Sequence, residues 1–383
     1  MENRLLHDPG VMVLPHPIRI DAIAGFPADT KMFERMGIMA ALRRYLADPG
    51  TPTEWIINHA PGMQHVTMEH LRLLGGQTGS YILMMNRARL RAHGDPILEV
   101  TPALQTLLAQ TDLQDGLPVR FLHNLDTMVY LRFARHNPLR VPHRLSGRHE
   151  CEGAYIATYQ LPPQHEMLTG PERVRLLGLD PAKPARAVEV VIIGSPVGKA
   201  DALDDASQDF LLLIQDEDEA LSAVLERHLA YYNNPAVYRL PGMSPVNPQE
   251  VAMIQPVVNE LAKALLYLSL PEAERTPVPE RRDLERRLRQ FGKNLSAKRR
   301  ERLALVYDRT LIGPRVVTDI PVESEAAGAA TARTVRPHWR RGHFRRLPCG
   351  ERLRDSRIGW IRPTLVKAAA AFGLNRPKPE ESR

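Results

Sequence analysis

His338 and His343 are the residue pair in this sequence best suited to acid–base chemistry. They lie in the run Arg336-Pro337-His338-Trp339-Arg340-Arg341-Gly342-His343-Phe344-Arg345-Arg346. One neutral and one protonated imidazole could deprotonate an RNA 2′-hydroxyl and protonate its leaving group, while an arginine stabilises the charge that develops. An unperturbed imidazole pKa of about 6.5 allows both states near neutral pH. Five residues apart on a strand, however, the two rings fall on opposite faces, and only a turn at Gly342 would bring them together. Histidines in basic loops more often bind or support than catalyse. The pair therefore stays as catalytic candidates, and whether the chain is an enzyme stays open, with binding the preferred reading.

Binding is the simpler reading of the same stretch. Between Arg333 and Arg362 stand ten arginines, two histidines and two tryptophans, against two acidic residues. Guanidinium forks take phosphate oxygens two at a time, and aromatic rings can stack on bases. The candidate nucleic-acid-binding residues are Arg336, Trp339, Arg340, Arg341, Arg345, Arg346, Trp360 and Arg362. The competing reading is a β-hairpin, with Trp339 and Phe344 in a core and the arginines paired to the acidic remainder of the chain.

Other constellations carry less. His136, His143, His149 and Cys151 form one set of possible zinc ligands, and His338, His343 and Cys349 another. His59, His65 and His70 are similarly scattered, and none has zinc-finger spacing. Gly194-Ser195-Pro196-Val197-Gly198-Lys199 lacks the first glycine and the final Ser/Thr of a phosphate loop, and Asp201, Asp204 and Asp205 follow it. Asp126, Glu152, Glu189 and Asp209 would make a metal-ion nuclease only if the fold converged them. Asp216-Glu217-Asp218-Glu219 reads as the charged first turn of a helix. Neither a metal nor a cofactor is assigned.

The net charge of +7 is unevenly placed. Residues 271–383 hold 27 Lys and Arg against 14 Asp and Glu, while residues 1–270 hold 24 against 30. An acidic body with a basic tail suits a polyanionic partner. Two cysteines are too few for a disulfide framework, and no signal peptide or apolar span stands out. A cytoplasmic protein without membrane contact is expected.

The elements that must carry these residues read as an α+β chain. Residues 1–115 are mainly helical, with helices at 32–46, 67–74 and 102–111. Residues 116–270 form a central α+β domain around a small mixed sheet. Its strands are expected at 119–123, 128–133, 153–161, 187–193 and 210–214, and its helices at 217–231 and 250–270. The strand at 153–161 alternates as a half-buried strand would, and 187–193 suits a central one. Residues 271–383 are a basic, β-rich region. It opens with a break at 271–280 and a helix striped by Leu284, Leu288, Phe291 and Leu295, and 322–334 reads as a linker.

Three stretches together resemble a known family. They are Cys151-Glu152-Gly153-Ala154-Tyr155, the run Asn259 to Leu268 ending Leu-Leu-Tyr-Leu, and the cassette from Arg336 to Pro363. The chain resembles the anti-CRISPR family typified by the second type V-A inhibitor, which mobile elements and phages carry. The resemblance implies a protein of the host bacterial cytoplasm that shuts down production of the type V-A effector nuclease. It implies recognition of that effector's nascent N-terminal polypeptide at the ribosome, followed by destruction of its mRNA. The family supplies no catalytic residue to carry over. The alternatives that stay open are an RNA-cleaving enzyme using His338 and His343, and a general nucleic-acid-binding protein of a mobile element.

Overall fold

Strand β6 (Ala185–Ser195) is buried along nearly its whole length, because both faces of the sheet around it are covered. The computed structural model describes residues 13–22, 83, 86–87, 89–91, 93–122, 127–143, 146–196, 205–234, 248–289, 303, 305–315, 338–351 and 354–366. The expected helices at 32–46 and 67–74 and the linker at 322–334 lie outside them.

β6 pairs antiparallel with β5 (Gly147–Leu161) and β7 (Ala206–Ile214), which confirms its central place. β5 pairs antiparallel with β4 (Arg140–His143) and with β3 (Met128–Arg132). Beyond β3 the sheet turns parallel through β1 (Ile97–Val100) to β9 (Arg309–Ile312), and β8 (Arg275–Val278) closes it antiparallel. The result is an eight-stranded mixed sheet in an α+β fold. It is larger than expected because residues 97–100, 140–143, 275–278 and 309–312 join it. These stretches are four residues each, too short to show a period of two. The stretch 271–280, expected as a break, contains β8.

Helices cover both faces. One face packs against α2 (Pro102–Ala109), α5 (Leu221–Tyr232) and α6 (Pro248–Leu268), with Leu104, Val224, Val257 and Leu265 in its core. The other holds α1 (His16–Ala22), α3 (Glu166–Thr169) and α4 (Pro171–Leu177), packed on Tyr130, Tyr155, Tyr159 and Val191. Thr101 caps α2 by accepting from the Leu104 N–H at 3.2 Å, and Pro102 starts it.

Three local expectations change. Residues 153–157 of β5 are buried on both faces, Ala154 and Ile156 in one core and Tyr155 and Ala157 in the other, so the alternation there separates two cores, not core from solvent. The strand expected at 119–123 is a 3₁₀ turn, Val119–Phe121, started by Pro118. The helix expected from 217 begins at Leu221. Asp216 instead caps a turn by accepting from the Asp218 N–H at 2.9 Å, which frees Glu217 to pair with Arg186. Helix α7 (Glu280–Arg289) carries Leu284 and Leu288, while Phe291 and Leu295 lie outside the described residues.

Candidate functional site

The arginine cassette folds as two short antiparallel ladders. β10 (His338–Arg340) pairs with β13 (Thr364–Val366), and β11 (Gly342–Cys349) pairs with β12 (Asp355–Ile361). β11 also runs parallel to β2 (Thr111–Asp112), which ties the hairpin to the end of α2. Only Arg341 separates β10 from β11, so the chain steps from one ladder to the next at Gly342. A Cβ there would sit 2.7 Å from the Ile361 carbonyl oxygen and from the Pro363 nitrogen. The backbone at Ile361–Pro363 leaves room for glycine alone.

The hairpin's aromatic residues anchor it. Phe344 is fully buried and stacks on Trp360, with centroids 5.7 Å apart and planes 17° apart. Trp360 meets Tyr267 of α6 edge-on at 5.5 Å and donates its Nε1–H to Thr111 Oγ1 at 3.3 Å. Ile358 is buried beside them. The competing sequence reading was therefore right for Phe344.

The arginines behave differently. Arg341 pairs with Asp112 at 2.7 Å in an exposed setting, and the guanidinium of Arg362 sits 5.7 Å from the Trp360 ring centre. Arg345 and Arg346 are exposed and have no ion-pair partner among the described residues. The same is true of Arg354 and Arg357, which lie inside the cassette but not among the candidate residues named above. Arg340 is exposed at the end of β10, opposite Thr364. Trp339 lies opposite Leu365, and Arg336 is outside the described residues. His338 pairs in register with Val366, and His343 with Ile361 on the other ladder. The turn at Gly342 that would fold the two histidines together is not formed.

A second polar centre lies under the tyrosine-lined face of the main sheet. Arg19 of α1 is completely buried and reaches Glu152 at 2.7 Å and Asp205 at 2.9 Å. Ser195 donates to Glu152 at 2.6 Å, Tyr130 donates to it at 2.9 Å, and the His16 N–H reaches it at 2.5 Å. Burial alone would raise the Glu152 carboxyl, but Arg19 and Arg132 hold it well below the usual carboxylate range. Asp205 goes the other way. Burial, with Glu152 beside it, raises its pKa to about 6 against the pull of Arg19. Burial, then Arg19, lowers His16 to about 3, so its ring is neutral. Arg19 Nε and Asp205 Oδ1 are buried and have no hydrogen-bond partner among the described residues.

The carboxylates considered for a nuclease do not converge. Glu189 shares the face of Glu152 but is held by Tyr159, Asn86 and Arg89, the last at 3.3 Å. Asp209 is exposed on β7, and Asp126 is outside the described residues. Among the described residues no three His, Cys, Asp or Glu side chains are grouped to hold a metal ion. No described helix is long and apolar enough to cross a membrane.

The profile of the AcrVA2-like family, anti-CRISPR type V subtype A2, matches residues 98–368. The chain belongs to this anti-CRISPR family. The matched stretch runs from β1 past β13, so it takes in the whole main sheet and the arginine hairpin. In this AcrVA2-like chain Glu152, Ser195 and Asp205 fall inside the match, whereas His16 and Arg19 precede it. A crystal structure of AcrVA2 aligns with 88% of this chain and 95% of its own, at 14% identity and a TM-score of 0.46. No curated protein matches the chain.

Proposed function

We propose that this anti-CRISPR protein recognises the nascent N-terminal peptide of a type V-A effector nuclease and lowers its transcript by translation-coupled mRNA destruction. The acidic body takes the peptide, and the basic hairpin meets ribosomal or messenger RNA in the host cytoplasm. Membership of the family supports the target class. The observation that carries the RNA contact is the set Arg345, Arg346, Arg354 and Arg357, exposed and without an ion-pair partner among the described residues on a hairpin whose aromatic residues anchor it. Charge held in that way is available to phosphate. Arg336, Trp339, Arg340, Arg341, Trp360 and Arg362 belong to the same proposed interface, Trp360 serving also as its anchor on Phe344 and Tyr267. Catalysis by His338 and His343 is not part of the reading, because their strands belong to different ladders.

The test is to purify the tagged chain from cells translating the effector and to sequence the RNA and peptides that come with it. Effector mRNA recovered with ribosomes and a short N-terminal nascent chain supports the reading. Recovery of bulk RNA without that peptide contradicts it.

A further inference from the structure

We infer that helix α7 is a second RNA-docking element, separate from the arginine hairpin; the inference rests on the proposed RNA contact. Its sequence, Glu-Arg-Arg-Asp-Leu-Glu-Arg-Arg-Leu-Arg, has five arginines, no lysine and no buried residue. Ten residues without tertiary burial make a marginal helix in water. Among the described residues, what holds α7 sits at its start. Asp308 accepts from the Arg281 and Arg282 N–H groups at 2.9 and 3.1 Å, and Arg309 reaches Glu280 at 2.7 Å.

The charges divide in the same way. Arg281, Arg282 and Arg286 are paired with Glu285, Asp308 and Asp283. Arg287 and Arg289 are exposed and have no partner among the described residues. Arg282, Arg286 and Arg289, at spacings of four and three, share one face of the helix. A helix tied down at its start, with guanidinium groups at its end that have no partner among the described residues, is complementary to a run of phosphates. Arginine forks take such groups in bidentate fashion, which lysine cannot do. An acidic surface on a second copy of the chain is the competing occupant. RNA is favoured because α7 belongs to the same net-basic stretch, residues 271–383 with 27 Lys and Arg against 14 Asp and Glu, as the hairpin proposed to meet RNA.

The experiment follows binding of a fluorescent single-stranded RNA oligomer by anisotropy over a salt series, with hydrogen exchange of residues 280–289 measured with and without the RNA. Arg287→Ala with Arg289→Ala removes only exposed groups that have no partner among the described residues, so the fold is retained. The expected result is a salt slope shallower by about 0.7 to 1.4, the value for one or two single-strand phosphate contacts, together with RNA-dependent slowing of exchange in wild-type α7. An unchanged slope and unchanged exchange overturn the inference. If Arg345→Ala with Arg346→Ala still weakens binding in that case, the hairpin reading survives. If the wild-type chain binds no RNA, both fail. A concentration-dependent dimer that the α7 variant abolishes, with RNA binding unaltered, also overturns it and assigns the helix to self-association.

Discussion

Arg19 on α1 and Glu152 on β5 meet at 2.7 Å with the guanidinium wholly out of water. The pair joins the N-terminal segment to the middle of the sheet. Removing the cation leaves Glu152 and Asp205 buried without their partner. Arg19→Met is therefore expected to cost about 3–5 kcal/mol in urea unfolding. Arg341→Ala, which breaks the exposed pair with Asp112, should leave the midpoint nearly unchanged. Equal effects of the two variants would contradict the assignment of the Arg19 centre as a structural tie.

The hairpin separates stability from ligand contact. Trp360→Ala opens a hole between Phe344, Tyr267 and Thr111 and should cost about 3–5 kcal/mol. Arg345→Ala with Arg346→Ala should leave the thermal midpoint in place and weaken RNA binding, with a shallower salt dependence. Parallel melting and anisotropy measurements distinguish the two roles.

His228 gives a pH signature. Its Nε2 accepts from the Leu213 N–H at 2.9 Å and its Nδ1–H donates to the Val224 carbonyl at 2.8 Å, so the folded ring is neutral. Burial lowers its pKa to about 4. Between about 6.5 and 4 the unfolded chain takes up a proton that the native ring refuses, so stability falls as pH drops through that window. His16 acts in the same direction, down to about 3. Asp205, raised to about 6, acts oppositely and stabilises as pH falls toward its unfolded value of 3.8. His228→Gln should flatten the acid limb by about 3 kcal/mol at most, read from urea unfolding at a series of pH values.

Gly342→Ala places a Cβ 2.7 Å from two backbone atoms at the crossing between the ladders. Neither neighbour is the end of a flexible side chain. The variant should lose about 1–3 kcal/mol and expose the cassette arginines to trypsin earlier in a denaturant series than wild type. Unchanged cleavage would show that the crossing tolerates a side chain.

Much of the central sheet is legible in the sequence, and the reason is length. β6 and the helix ending Leu-Leu-Tyr-Leu are long apolar stretches whose period or β-branching shows directly. β1, β8 and β9 are four-residue strands, and they become strands only through parallel and antiparallel partners far along the chain. The Asp216–Glu219 run misled because its carboxylates look like a helix start, whereas they cap a turn and pair with Arg186, Arg120 and Arg227. At the candidate site, Arg density picks out the segment that forms the hairpin. It could not separate Arg341, paired to Asp112, from Arg354 and Arg357, which the hairpin exposes, because that depends on strand register. The Arg19 centre was invisible, since its members come from α1, β5, the end of β6 and the residue before β7.

The most direct test of the proposed function measures effector mRNA in cells with and without this chain, for three versions of the effector gene. One keeps its natural first codons, one carries synonymous codons for the same N-terminal peptide, and one encodes a different N-terminal peptide. The account predicts that the transcript falls for the first two and holds for the third. A transcript that holds in all three, or falls equally in all three, would contradict recognition of the nascent peptide.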